Sequence, residues 1–166
     1  PVMASKDLVN WTLVSYAYDV LDHVDALDLQ NGKNAYGRGS WASSLRYRDG
    51  TFYATTFSGT TNRTYVYTTK DPAKGPWKAT SFTPSLHDHS LFFDDDGRVY
   101  MLYGVGDLRL AELKADLSGL APGGFHDVVV PNASRVGGEP IGLPAEGSQL
   151  LKREGRYYLV NITWPK

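Results

Sequence analysis

A thirteen-residue pattern occurs three times in this chain and restricts the folds that the chain can adopt. The copies are WASSLRYRDGTFY (41–53), DHSLFFDDDGRVY (88–100) and EGSQLLKREGRYY (146–158). In each copy the third position is Ser, the fifth is apolar, the ninth is acidic, the tenth is Gly and the thirteenth is Tyr. An acidic residue followed by Gly, between runs rich in aromatic and β-branched residues, is typical of a β-hairpin turn. The chain is therefore predicted to be all-β and built from one repeated unit.

The spacing of the copies indicates which all-β architecture to expect. The hairpin glycines Gly50, Gly97 and Gly155 are 47 and 58 residues apart, which leaves room for several short strands in each unit. This spacing is typical of the blades of a β-propeller rather than of the strands of a sandwich. A second element also repeats, SKDLVNW (5–11) and TKDPAKGPW (69–77), so the chain is expected to begin in the tail of an earlier unit.

The composition excludes several classes of partner. The 166 residues are 42% hydrophobic and carry a formal net charge of −1, with Lys and Arg scattered along the chain. Such a chain lacks the basic surface that nucleic acid or an anionic membrane would require, and no apolar run reaches the length of a membrane span. Cysteine is absent, which excludes disulfides and thiolate metal sites. A neutral or small polar partner fits best.

The aspartates between Leu86 and Gly104 fall into two groups. Asp94, Asp95 and Asp96 directly precede Gly97 and are predicted to be turn residues, because the other oxygen ligands of a calcium loop are missing. Asp88 instead lies nine residues before its hairpin glycine, as Trp41 and Glu146 lie before theirs. Equivalent positions on successive blades surround a common axis, so Trp41, Asp88 and Glu146 are predicted to be neighbours.

These three residue types suggest carbohydrate chemistry. Two carboxylates can serve as the acid and the base or nucleophile of glycoside hydrolysis, and an indole can stack on a sugar ring. The simpler interpretation is that each carboxylate accepts backbone N–H bonds and that Trp41 is a core residue. His87 and His89 flank Asp88 and are expected to point away from it if strand alternation holds. His87 from the loop, and Trp164 beyond the third copy, are further candidates for substrate binding.

At these residues the sequence resembles the family 43 glycoside hydrolases, most closely the β-xylosidase and α-L-arabinofuranosidase members. The resemblance is carried by SKDLVNWTLV, GSWASSLRYRDGTFYATT, HDHSLFFDDDGRVYMLYG and EGSQLLKREGRYYLVNITWP, in this order. It implies a five-bladed β-propeller of which residues 1–166 cover about three blades, from the end of blade 1 to the start of blade 4. These residues would belong to one catalytic domain.

The resemblance also implies roles for individual residues. Glu146 corresponds to the general acid, and Asp88 to the aspartate that tunes the acid's pKa and orients it. Trp41, His87 and Trp164 are the expected substrate-binding residues. The general base of the family lies before the SKDLVNW element, so none is expected in this chain. The only early candidates, which follow that element, are Asp19, Asp22, Asp25 and Asp28.

The implied function is an inverting hydrolase that releases terminal xylose or arabinose from plant cell-wall oligosaccharides or polysaccharides. The resemblance implies no required cofactor or metal, and leaves room for a structural calcium ion. The expected partners are the oligosaccharide or polysaccharide and a complementary fragment of the same propeller, with no nucleic acid and no membrane. One alternative is a non-catalytic carbohydrate-binding propeller or pseudoenzyme. Another, a scaffold for protein partners, would not need acids and aromatic residues at the channel.

Overall fold

The computed structural model describes the backbone of residues 1–166 and the side-chain surroundings of all of them except Gly137. Antiparallel strands predominate, in agreement with the all-β prediction. In chain order the strands are β1 (Val2–Ser5), β2 (Trp11–Ser15), β3 (Ser44–Arg48), β4 (Thr51–Ser58), β5 (Arg63–Thr69), β6 (Lys78–Phe82), β7 (Ser90–Phe93), β8 (Val99–Tyr103), β9 (Leu108–Leu113), β10 (His126–Val130), β11 (Ile141–Arg153) and β12 (Arg156–Pro165). A short 3-10 helix covers Ala133–Gly137. No helix in the described part of the chain is long and apolar enough to cross a membrane.

The strands form separate sheets that follow one another along the chain. β3-β4-β5-β6 and β7-β8-β9-β10 are four-stranded meanders, and β1-β2 and β11-β12 are two-stranded hairpins. The first strands of successive sheets lie beside one another, since β3 contacts β7 and β7 contacts β11. This is the arrangement of propeller blades around an axis, with β3, β7 and β11 innermost.

The three predicted hairpins form, but their turns differ. Arg48 pairs with Thr51 across Asp49-Gly50, and both turn residues have positive φ, as a type I′ turn requires. The third hairpin turns in the same way at Glu154-Gly155. In the second hairpin Phe93 pairs with Val99, so a longer loop, 94–98, joins the strands. The longer loop shifts β7 by one residue relative to β3 and β11.

The second repeated element also has one structure in both copies. Asp7, between β1 and β2, accepts hydrogen bonds from the backbone N–H groups of Val9 and Asn10. Asp71, between β5 and β6, accepts the corresponding bonds from Ala73 and Lys74. These bonds hold the pKa of Asp7 well below its usual range, the Asn10 backbone bond contributing most. The sequence likeness therefore reflects the same turn between outer strands of two successive sheets.

The sheet β7–β10 is apolar on both faces and packs between its neighbours. Successive residues of a strand point to opposite faces, so β7 and β8 contribute to two cores. The core shared with β5 and β6 contains Val66, Phe82, Leu86, Leu91, Val99, Met101, Leu113 and Leu117. The core shared with β11 contains Phe92, Tyr100, Leu102, Leu108, Ala133, Ala145 and Leu150. The buried faces fix how successive blades stand against each other.

Arg46 connects the three innermost strands. Its Nε donates to the carbonyl oxygen of Leu91 on β7 at 3.0 Å, and its other nitrogens donate to the Leu45 carbonyl and to Gln149 on β11. Burial lowers the pKa of Arg46. A long cationic side chain therefore spans from β3 past β7 to β11 and satisfies polar groups of all three strands.

Asp94 has a larger role than the predicted turn residue. Its side chain is only 8% exposed, forms an ion pair with Lys152 on β11 and accepts a hydrogen bond from the Tyr157 hydroxyl at 2.6 Å. The hydrogen bonds from Lys152 and Tyr157 lower the pKa of Asp94 from 3.8 to about 2. Asp94 is a turn residue as predicted, since its carbonyl oxygen accepts the N–H of Gly97, and the loop in addition carries its side chain against the next hairpin. Asp96, by contrast, pairs locally with Arg98.

We expect Asp94→Asn to lower the free energy of unfolding by about 1–2 kcal/mol, since the charged hydrogen bonds between two blades are lost. Because the folded-state pKa of Asp94 lies below the unfolded one, this contribution is present above about pH 4 and disappears as the pH falls toward 2. Urea unfolding from pH 7 to pH 2 would measure it. Asp49→Asn, at the exposed turn of the first hairpin, is the matched control and should leave stability within about 0.5 kcal/mol.

Candidate functional site

Three functional candidates lie at equivalent points, two of them just before β3 and β7 and the third on β11. Trp41 donates its backbone N–H to Phe57 at 3.2 Å, and Gly104 donates its N–H to the carbonyl of His87 at 3.0 Å. Glu146 pairs with Ile162. The three cross-strand partners each lie four residues beyond the repeated tyrosine of their copy. Trp41, His87 and Glu146 therefore occupy corresponding positions around the axis.

The prediction that Asp88 shares this position with Trp41 and Glu146 is wrong by one residue. The extra residue of the loop 94–98 shifts the first strand of the second copy, so His87 takes the equivalent place. The expectation that His87 points away from Asp88 also fails. The two residues form a turn before β7, and Asp88 has a positive φ of 47°, so strand alternation does not apply to them. Both side chains remain in the same cluster.

The imidazole of His87 lies between the two carboxylates. Its Nε2 is 3.5 Å from Oε2 of Glu146 and 3.7 Å from Oδ1 of Asp88. The exposed fractions of the side chains are 32% for His87, 15% for Asp88 and 26% for Glu146. The predicted catalytic pair is thus brought together from two blades, partly shielded and still open to solvent.

Aromatic rings form one wall of this cluster. The Trp41 ring meets His87 edge to face, with centroids 5.5 Å apart, and Phe57 lies 5.0 Å from His87 and 5.7 Å from Trp41. Phe57 is buried, whereas Trp41 is 44% exposed. The Trp41 carbonyl accepts a bond from the hydroxyl of Thr56 at 3.1 Å, which helps to anchor the residue. The indole therefore presents an exposed apolar surface beside the carboxylates.

Local irregularity of β11 sets the position of Glu146. The pairing register of β11 with β12 shifts on both sides of the Glu146–Ile162 pair. Gly147 has a φ of 63°, a conformation that glycine adopts without steric cost. Ala145 is fully buried and donates its N–H to the hydroxyl of Ser134 at 2.9 Å. A bulged strand with a buried anchor directs Glu146 toward His87.

His89 is a structural neighbour of the site. Its Nδ1 lies 2.7 Å from the Leu86 carbonyl oxygen, so Nδ1 must carry the proton that is shared with it. Its Nε2 is buried and has no hydrogen-bond partner among the described residues. Burial lowers the pKa of His89 from 6.5 to about 4. The ring is therefore neutral at physiological pH and packs against Phe57, with centroids 5.9 Å apart.

The remaining sequence candidates lie elsewhere. Trp164 is on β12 opposite Leu143 and half exposed, and no described contact joins it to the cluster. Three of the early aspartates are engaged within the loop before β3 or with the sheet beneath it. Asp22 accepts a bond from the Tyr65 hydroxyl, Asp25 pairs with Lys33 and Asp28 with His23.

Phe57 is the site residue that the sequence interpretation missed. The signal was its place four residues after Tyr53, which corresponds to Ile162 after Tyr158 in the third copy. The same count along the second strands finds His87, because its partner Gly104 also lies four residues after the repeated tyrosine. The loop 94–98 displaces only the first strand of the second copy.

The arrangement can donate or accept a proton beside a bound polar molecule. A carboxyl group held near a second carboxylate and an imidazole has groups within reach that can orient it. The exposed indole provides a surface suited to the apolar face of a sugar ring. Together these are components of a site for acid–base chemistry on a carbohydrate.

The chain is similar to known glycoside hydrolases over almost its whole length. The family model for glycosyl hydrolases family 43 matches residues 1–161. A xylan 1,3-beta-xylosidase of a Vibrio species is 32% identical over 94% of this chain and 30% of its own length. A non-reducing end alpha-L-arabinofuranosidase of Bacteroides ovatus is 30% identical over 97% of this chain and 29% of its own. This chain thus spans less than a third of these relatives.

Solved structures confirm the fold. A bifunctional GH43-CE protein of Bacteroides eggerthii is 60% identical and superposes with a TM-score of 0.94 over 99% of this chain and 21% of its own. A GH43 glycoside hydrolase engineered to show both endo-xylanase and exo-arabinofuranosidase activity is 28% identical, with a TM-score of 0.79 over 98% of this chain and 31% of its own. These neighbours are five-bladed β-propellers, so the predicted fold class is confirmed, with this chain covering part of the propeller.

We expect the buried imidazole of His89 to make stability pH-dependent. The unfolded state binds a proton near pH 6.5 and the folded state only near pH 4, so stability should fall as the pH drops through this interval. The loss reaches at most about 3 kcal/mol. In His89→Asn, whose amide can still donate to Leu86, urea unfolding should show a flatter pH dependence. An equal slope in variant and wild type would contradict the assignment.

Proposed function

This chain belongs to family 43 of the glycosyl hydrolases, and we propose that it forms part of the catalytic domain of a hydrolase that acts on terminal xylose or arabinose residues. The substrates would be plant cell-wall oligosaccharides or polysaccharides. We place residues 1–166 from the end of the first blade to the start of the fourth blade of a five-bladed propeller. Two complete four-stranded sheets flanked by two hairpins support this placement.

One observation carries the proposal. Asp88 and Glu146, from different blades and 58 residues apart in sequence, meet at a single imidazole beside an exposed indole. Structural needs of the blades do not require this convergence, because the hydrophobic cores lie between the sheets rather than at this point. Because the chain belongs to family 43 of the glycosyl hydrolases, we interpret the two carboxylates as part of a glycoside hydrolase site.

We assign Glu146 as the general acid. In glycoside hydrolysis the acid protonates the oxygen of the departing group while positive charge develops on the sugar ring. Glu146 is on a bulged strand and partly exposed, so its carboxyl group can reach a substrate oxygen on the open side of the cluster. The Oε2 atom of the same carboxyl group faces His87.

We assign Asp88 and His87 as the groups that hold the acid in position. His87 Nε2 lies 3.5 Å from a Glu146 oxygen and 3.7 Å from an Asp88 oxygen, so the imidazole stands between the two carboxylates and restricts their positions. Asp88 is the least exposed of the three and has a left-handed backbone conformation in the turn before β7. Such a residue suits an orienting role better than direct proton transfer to substrate.

The general base is proposed to come from outside residues 1–166. An inverting mechanism requires a second carboxylate on the far side of the sugar, about 6.5–9.5 Å from the acid, so that a water molecule fits between them. Asp88 lies on the same side as Glu146, with ligand atoms of the cluster within 4.8 Å of one another, and is too close for that role. The complete protein is therefore the enzyme to be tested.

We expect Glu146→Gln in the complete protein to lower kcat by about 10²- to 10⁴-fold on alkyl β-xylosides or α-L-arabinofuranosides, since general acid catalysis is lost. Oligosaccharide binding should persist. Glu154→Gln, at the exposed turn of the same hairpin, is the matched control and should keep kcat within about twofold. Release of the sugar, measured for each variant, provides the test.

A leaving group that needs no protonation separates an acid from a merely structural residue. With a dinitrophenyl glycoside, Glu146→Gln should recover most of its activity, because the phenolate departs without a proton. Equal losses on both substrates would contradict the assignment of Glu146. An intact protein that binds oligosaccharides but hydrolyses neither substrate would instead favour a carbohydrate-binding propeller.

Trp41→Ala should raise KM roughly threefold to tenfold with a smaller change in kcat, because the platform for the sugar ring is lost. The matched control is Trp11→Ala, which removes a similarly exposed indole on β2. Steady-state kinetics on the same glycosides would distinguish the two. A KM that changes equally in both variants would indicate that Trp41 does not contact the sugar.

A further inference from the structure

We propose that His87, Asp88 and Glu146 form a binding site for Zn²⁺, and that zinc at this site blocks the acid. The binding itself depends only on the geometry of the three side chains. The inhibitory consequence rests on the proposed function of Glu146. No other cluster of three or more potential metal ligands is found among the described residues.

The distances from His87 to the two carboxylate oxygens are close to those around a tetrahedral ion, and the two oxygens lie within 4.8 Å of each other. Zinc binds nitrogen and carboxylate oxygen at about 2.0–2.2 Å, so two ligand atoms on a tetrahedron are separated by about 3.3–3.6 Å. His87 Nε2 lies 3.5 Å from the Glu146 oxygen and 3.7 Å from the Asp88 oxygen, and all three ligand atoms are within 4.8 Å of one another. Small rotations of side chains would complete the site.

The same distances are long for direct hydrogen bonds. An N–H···O bond to a carboxylate usually spans about 2.7–2.9 Å, well below both separations from His87. Neither Asp88 nor Glu146 forms an ion pair with Lys or Arg in the described part of the chain. Two carboxylates and an imidazole thus converge with no Lys or Arg side chain of the described residues paired to them.

The ligand types and the surroundings favour zinc with one open position. Imidazole and carboxylate are both ordinary zinc ligands, and three protein ligands leave the fourth position for water. Each side chain is partly exposed, which gives an ion access from solvent. The backbones of His87 and Ala145 are held by hydrogen bonds from Gly104 and to Ser134, so the ligands are carried on firmly anchored segments.

Zinc and a catalytic proton would exclude each other. A carboxyl group binds zinc only when it is deprotonated, whereas the proposed acid must carry a proton to donate it. The ion would therefore occupy the carboxylate that the reaction needs, and hydrolysis would be inhibited reversibly. A chelator such as EDTA should restore activity.

Direct binding measurements on the complete protein test the proposal. Isothermal titration with Zn²⁺ alone should show a site that His87→Ala weakens by more than about 100-fold, since even loss of an outer-sphere partner costs 10- to 100-fold. Co²⁺ at the same site should give the intense visible absorption of tetrahedral cobalt, lost in the variant. His23→Ala is the matched control, because His23 also lies 3.5 Å from a carboxylate oxygen, that of Asp28, but belongs to no such cluster of three.

Asp88→Asn provides a second variant that preserves shape, and it should weaken zinc binding by at least about tenfold. Zinc binding unaffected by either His87→Ala or Asp88→Asn would overturn the proposal, and so would an octahedral cobalt spectrum. A protein that binds zinc through His87 but hydrolyses no glycoside would contradict the proposed function and leave the metal site intact. An active hydrolase without a His87-dependent zinc site would refute only the metal site.

Discussion

The packing of the sheet β7–β10 against neighbours on both faces is the constraint on which the rest of the structure depends. The strands β7, β8 and β9 of this sheet contribute residues to two hydrophobic cores, so neither face can turn away without exposing one of them. Sheets stacked face to face in this way bring their first strands side by side. The ends of β3, β7 and β11 therefore meet, and residues distant in sequence become neighbours there.

Polar contacts define the relative position of the blades more closely than the cores do. Arg46 on β3 donates hydrogen bonds to β7 and β11. Asp94 accepts hydrogen bonds from Lys152 and Tyr157 of the following hairpin. Hydrophobic burial is non-directional and tolerates sliding, whereas these bonds require particular partners. The candidate site lies at the inner ends of the same strands, so its distances depend on this alignment.

The site uses a repeated scaffold to present unlike side chains. The repeat places Trp41, His87 and Glu146 at corresponding points, and each contributes a different group: an indole suited to stacking, an imidazole and a carboxyl group. Asp88 joins them through a left-handed backbone conformation rather than through the repeat. The repeated framework thus sets the positions of these residues. Local departures from the repeat bring Asp88 into the cluster and direct Glu146 toward His87.

The sequence by itself determined the class of fold and the hairpins, because turn residues and alternating apolar residues encode local structure directly. The repeat also brought Trp41 and Glu146 to corresponding positions and pointed to Asp88, although its count was wrong by one residue there. Only the tertiary structure decided that His87 stands between the two carboxylates and that Asp94 ties two blades together. Both depend on one extra residue in the loop 94–98 and on the packing of separate sheets, and a one-residue shift changes which side chains face the axis.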